Sequence, residues 1–134
     1  MPQTSMTRTI TSEALEARSK SILTDEFMSK LPAWAGGNIS PYDCRFLTGL
    51  VSHFRPKNVL EIGVASGWSS AVLLRTLKAI HGTDPHRLNA IDLFENYYLK
   101  PEYKTGVLVG EVVPELQSNY NLLTGRIALE AMKD

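Results

Sequence analysis

The stretch Val59-Leu60-Glu61-Ile62-Gly63-Val64-Ala65-Ser66-Gly67-Trp68-Ser69-Ser70 (VLEIGVASGWSS) places a carboxylate inside an apolar run and then turns the chain on two glycines. Residues 58–62 read as a buried strand, because apolar side chains occupy both faces of the extended chain. From Ser69 to Ile80 the residues Val72, Leu73, Leu77 and Ile80 recur at helical spacing, suited to packing on a sheet. A carboxylate buried between two such elements is costly unless it is hydrogen-bonded or paired. Glu61 therefore calls for donors. The backbone N–H groups of the glycine turn and a cationic ligand are candidates, and an ion pair with a lysine such as Lys57 is the plainer alternative.

The flanking sequence extends the pattern. Leu15, Ile22, Leu23, Phe27 and Leu31 suggest one amphipathic helix from about Ser12 to Leu31. PAWAGGN interrupts it, and Ser40-Pro41 with Asp43 is a helix start: a hydroxyl cap, a proline at the first helical position and an acid near the positive end. Phe46, Leu47, Leu50, Val51 and Phe54 form the expected apolar face of that helix, which stops before Pro56. RLNAID is the next strand, LFENYYLKPEYKTG is irregular, VLVGEVVPEL is a helix shortened at Pro114, and YNLLTG is a third strand. Strand, helix, strand, helix, strand describes a parallel α/β sheet, whose ligands lie beyond the carboxyl ends of the strands. Residues 1–39 read as an amino-terminal helical segment and residues 40–134 as a sheet domain.

Composition narrows the partners. The 134 residues carry 14 Lys and Arg against 14 Asp and Glu, so no basic excess points to nucleic acid. No stretch has the length of a membrane span, and the first residues show no apolar signal core. Cys44 is the single cysteine, which together with the missing signal core makes a cytoplasmic location the expectation. His81 and His86, in HGTDPH, lack metal-site spacing and read as part of a surface loop, so no metal is expected. The glycine run also lacks the G-x-G-x-x-G pattern of a pyrophosphate cradle, because Ala65 and Ser70 stand where those further glycines would be.

LEIGVASGWSSAVLL resembles motif I of class I S-adenosylmethionine-dependent methyltransferases, in particular the group similar to catechol and caffeoyl-CoA O-methyltransferases, in which E-x-G-x-x-x-G-aromatic-Ser opens the first βα unit. The resemblance implies a Rossmann-like sheet that binds S-adenosyl-L-methionine through Glu61, Gly63, Ala65, Ser66, Gly67, Trp68, Ser69 and Asp92. Gly63 and Gly67 would let the backbone approach the methionine part, and Ser69 would bind its carboxylate. Asp92, ending LNAID, would accept hydrogen bonds from both ribose hydroxyls, although that position also occurs in NAD-binding folds. Trp68 stands where tyrosine is more usual and reads equally as a core residue. Ile127 reads as a core residue or as a cover for the base, and Tyr97, Tyr98 and Tyr103 as acceptor contacts or sheet cover.

The resemblance covers about Ser40 to Met132, the first half of such a domain with about three strands, and assigns no catalytic residue. The expected activity is methyl transfer to a small-molecule acceptor, with this chain as the donor-binding half, inactive by itself. A non-catalytic adenosine-binding or interaction module and a fragment of an NAD-dependent oxidoreductase stay open as alternatives. An incomplete sheet would leave residues 59–62 as an unpaired edge, so self-association or a homo-oligomer is expected there.

Overall fold

The structure is a computed structural model that describes residues 11–133; the outer ends of the two expected segments, residues 1–10 and 134, lie outside it. The elements run α1 (Ser12–Ile22), α2 (Asp25–Met28), α3 (Pro41–Phe54), β1 (Asn58–Ile62), α4 (Trp68–His81), β2 (Arg87–Asp92), α5 (Val107–Val112), a 3-10 turn (Pro114–Asn119), β3 (Tyr120–Thr124) and α6 (Ala128–Ala131). The three strands form one parallel sheet in the order β1-β2-β3. Ile62 lies opposite Ile91, and Asp92 opposite Thr124, so the carboxyl ends of the strands are level.

Local signals set the helix boundaries. Ser40 and Asp43 close a reciprocal cap at the start of α3, with Pro41 at its first position. The single helix expected over 12–31 is instead two, because the Thr24 side chain accepts from the Phe27 N–H and starts a new turn. Pro114 ends α5, as its missing N–H requires, and the chain continues as a 3-10 turn.

The helices other than α6 layer onto one face of the sheet. Leu23, Phe27, Trp68, Leu74, Leu77, Leu88, Leu108 and Val109 join in one core that ties α1, α2, α4 and α5 to β2. α3 corrects its expected apolar face: Phe46 and Phe54 are 59% and 70% exposed, while Cys44, Thr48, Gly49, Val51 and Ser52 are buried. Small residues win there because helices cross closely. A Cβ on Gly49 would lie 2.9 Å from that of Leu15. The Ser19 hydroxyl donates to the Arg45 carbonyl. Thr76 gives its proton to the Val72 carbonyl and accepts from Thr48, 3.1 Å away.

The opposite face is largely bare, which corrects the reading of β1 as buried on both sides. Its exposure alternates, with Leu60 46% and Ile62 61% exposed. α6 lies against β2 on this face and leaves a groove of about 580 Å³ lined by Leu60, Ile91, Leu123 and Met132 among others. His81 and His86 are a further correction. Both are buried, with rings stacked 5.6 Å apart, His81 Nε2 donating to the Pro56 carbonyl and His86 Nδ1 to that of Asp84. They fasten the turn between α4 and β2. Among the described residues no cluster of three or more metal-ligating side chains occurs, and no helix is long and apolar enough to cross a membrane.

Candidate functional site

At the carboxyl ends of β1 and β2 a pocket of about 330 Å³ is lined by Gly63, Val64, Ala65, Trp68, Ser69 and Asp92, by Phe94, Asn96, Tyr98 and Thr105 from the loop after β2, and by Gly37, Asn38 and Ile39 from the loop before α3. Gly63 adopts φ +87°, and a Cβ there would meet nothing within 4 Å, so its backbone faces open space where a ligand can approach. α4 begins at the pocket wall with Gly67 as its N-cap and no side-chain cap. Its positive end is therefore available to an anion.

Five of the eight residues expected at the site line this pocket: Gly63, Ala65, Trp68, Ser69 and Asp92. Glu61, Ser66 and Gly67 stand one layer back and shape it. A Cβ on Gly67 (φ +95°) would come within 2.8 Å of the Gly106 backbone, so this glycine permits a close crossing of the turn and the start of α5. That crossing is sealed by Gly106 N–H to Ala65 O and Leu108 N–H to Ser66 O, both 2.9 Å. Ser66 is buried, and its hydroxyl donates to Asn38 Oδ1. Trp68 stacks on Phe27 at 5.4 Å in the core and is also among the residues that line the pocket.

The donors expected for Glu61 go to Asp92 instead. The N–H groups of the glycine turn serve Asp92, whose Oδ2 accepts from Val64 at 2.8 Å and Ala65 at 3.0 Å, while Oδ1 accepts from Phe94 at 2.9 Å. Asp92 thus staples the turns after β1 and β2 together, and Oδ1 keeps one further acceptor direction. Glu61 is held by side chains. Ser69 donates to Oε2 at 2.6 Å and Ser70 to Oε1, with Tyr120 donating to Ser70 behind it. Burial pushes the Glu61 carboxyl above the usual carboxylate range; the serine hydroxyls oppose this, and the Asp92 charge adds to it. Burial likewise raises the Tyr120 phenol, against the lowering effect of Ser70. Because the Ser69 proton goes to Glu61, an incoming carboxylate competes with Glu61 for it, whereas its lone pairs stay open to an ammonium.

Residues that sequence reasoning did not assign to the site complete the wall. Asn38 is pinned by Ser66 and donates to the Ala35 carbonyl, which brings the loop before α3 to the pocket. Tyr98 lines the pocket, but Tyr97 and Tyr103 do not: Tyr97 is fully buried and Tyr103 stacks on Trp34, itself half-buried. Ile127 is 48% exposed at the cap of α6, so the core role expected for it does not hold.

No protein-family model matches the chain, and no curated protein matches it. Solved structures do resemble it. An O-methyltransferase from Bacillus cereus, in complex with SAH, aligns with a TM-score of 0.53 and 24% identity over 87% of this chain and 46% of its own. The O-methyltransferase TomG from Streptomyces achromogenes, involved in tomaymycin synthesis and in complex with SAM, aligns with a TM-score of 0.54 and 21% identity over 95% of this chain and 48% of its own. The chain shares part of the fold of these O-methyltransferases, three parallel strands of a Rossmann-like sheet with helices around them, and spans about half the length of the structures it resembles.

Proposed function

We propose that this chain carries the S-adenosylmethionine site of a methyltransferase acting on a small molecule. One observation carries the reading: the open backbone of Gly63, the uncapped start of α4 and Asp92, which keeps an acceptor direction free, line one pocket. The α4 start suits the carboxylate of an amino-acid moiety and Asp92 a ribose hydroxyl, so the pair fits a nucleoside with a zwitterionic tail. The Ser69 oxygen, backed by Glu61, suits the ammonium of that tail. SAH and SAM in the two neighbours support the same ligand.

The donor supplies an electrophilic methyl group on a sulfonium. The protein's own residues bind and orient it, and transfer to an oxygen or other nucleophile then depends on in-line approach and loss of the acceptor's proton. Calorimetry with SAM, SAH and NAD tests the assignment. SAM or SAH binding more tightly than NAD is expected, and the reverse order overturns it.

A second reading, a non-catalytic adenosine-binding module, is favoured by the lining itself. Its one carboxyl group among the described residues is Asp92, already engaged by three backbone N–H groups. A transfer assay with radiolabelled donor on protein shown to bind SAH separates the two. We further propose a cytoplasmic setting, which suits the buried Cys44 thiol, and self-association along β1. Light scattering during size exclusion checks the latter: Ile62→Lys is expected to return an associated chain to monomer, and a wild-type monomer at every concentration would end the idea.

A further inference from the structure

Behind the pocket wall a chain of hydrogen bonds runs from the sheet to the ligand space. The Tyr120 phenol of β3 donates to the Ser70 hydroxyl, Ser70 donates to Glu61 Oε1, and Ser69 donates to Glu61 Oε2 at 2.6 Å. Of these four side chains Ser69 lines the pocket. Burial makes the Glu61 carboxyl harder to ionise than one in water and the Asp92 charge at the end of β2 acts the same way, while the two serine hydroxyls favour the ionised form. Asp92 and Tyr120 are the titratable groups that act on or lie behind it among the described residues. A serine hydroxyl has one proton and two lone pairs, so the same oxygen positions allow two arrangements. With Glu61 ionised, Ser69 gives its proton to Oε2 and turns lone pairs to the pocket. With Oε2 protonated, the carboxyl donates to Ser69, whose own proton is then free for the pocket.

We propose that Glu61 is a positioning residue whose charge state decides whether Ser69 offers the pocket a lone pair or a proton, and that an ammonium arriving at Ser69 expels a proton from Glu61. The identity of the ligand rests on the donor-site reading. The step balances: the O–H bond of the carboxyl breaks, its proton passes through Ser69 and the pocket to the buffer, Ser69 turns its proton onto Oε2, and the ammonium stays protonated. The carboxylate so formed lies one hydroxyl away from the arriving cation, and their attraction offsets the cost of charging a buried group. The uncapped start of α4 leaves the carboxylate of a zwitterionic tail a separate place. Ser69 therefore reads the ammonium, and a ligand without one gains nothing from the ionised form.

Calorimetry with SAH and with its deaminated analogue, which keeps the carboxylate and lacks the ammonium, tests this from the ordinary carboxylate range upward in pH. In buffers of different ionisation heat, SAH is expected to release at most about one proton per site at the low end and none at the high end, with affinity rising between them. The analogue should release none and gain no affinity. Glu61→Gln stands in for the protonated carboxyl, its amide nitrogen donating to Ser69 and its oxygen accepting from Ser70. It should weaken SAH about tenfold at the high end, the scale of one hydrogen bond to a charged group, abolish proton release and leave the analogue unchanged. Ser69→Ala leaves Glu61 on Ser70 and cuts its link to the pocket, so release should vanish there too, and this variant carries the test if Glu61→Gln does not fold. A carboxyl that only ties β1 to α4 would alter unfolding in these variants and move neither proton release nor the preference for the ammonium. Release that persists in either folded variant, or SAH binding to wild type with no proton exchanged at any pH, overturns the proposal. SAH that does not bind removes the donor-site reading. Infrared spectra of the unliganded chain then decide the two arrangements: a protonated-carboxyl band that titrates away with rising pH, shifts in Ser69→Ala and is missing from Glu61→Gln is expected, and the absence of that band in wild type overturns them.

Discussion

On the helix-covered face of the sheet Leu88 and Ala90 are buried and Glu61 is enclosed by serine hydroxyls, whereas on the other face Leu60 and Ile62, which alternate with Glu61 along β1, stay about half exposed or more. The same strands supply both faces. On one, apolar burial fixes the helices whose turns build the pocket; on the other, an equally apolar surface has little to pack against. An apolar side chain contributes to stability only in proportion to the water it loses, so chemically similar residues one position apart differ in what they do for the fold.

The largest test of that difference pairs two leucines. Leu88→Ala is expected to lower unfolding free energy by about 2–5 kcal/mol and Leu60→Ala by under about 1 kcal/mol, read from urea denaturation. Comparable losses would mean that the open face is covered in solution, and would point to association through β1.

Two glycines at the end of the covered face sharpen the contrast further. Gly67→Ala must hold a left-handed backbone against Gly106 and should cost about 2–4 kcal/mol, while Gly63→Ala, with the same backbone demand and no neighbour, should cost about 1–2 kcal/mol. Binding should reverse the stability ranking. The Gly63 methyl enters the ligand's space, so SAH affinity falls even where the protein stays folded. Retained affinity in folded Gly63→Ala would move the ligand elsewhere.

Asp92→Ala should weaken SAH binding by about 1.5–3 kcal/mol, the range of a hydrogen bond to a charged group, and should also lower stability by releasing the Val64, Ala65 and Phe94 N–H groups. Adenosine and its dideoxy analogue separate the two roles. Equal losses for both would confine Asp92 to stapling the turns.

Glu61 gives the smallest expected effect. Its folded-state pKa is raised by burial, so between the ordinary carboxylate value and the raised one the native chain keeps a proton that the unfolded chain has released. Stability is then expected to fall as pH rises through that window and to level off above it. Glu61→Gln should flatten this part of the profile, measured as unfolding free energy against pH. An unchanged slope would assign the dependence to other groups.

The amino-acid sequence by itself determined the elements whose causes are local. Ser40, Pro41 and Asp43 start α3, the Gly63–Gly67 turn separates β1 from α4, Pro114 ends α5, and Asp92 closes β2 at a strand end where parallel sheets bind ligands. Tertiary structure alone decided the partners of those residues. The turn's N–H groups went to Asp92, not Glu61, because strand register sets the Asp92 carboxylate beside them, and Ser69 and Ser70 reach Glu61 from the first turn of α4. Gly49 selected a small-residue face for α3 through a helix crossing that no spacing within α3 encodes. Asn38 joined the site wall through Ser66, 28 positions away. Caps, turns and periodicity act within a few residues and are written along the chain, while hydrogen-bond partners and exposed faces depend on which segments come to rest against each other.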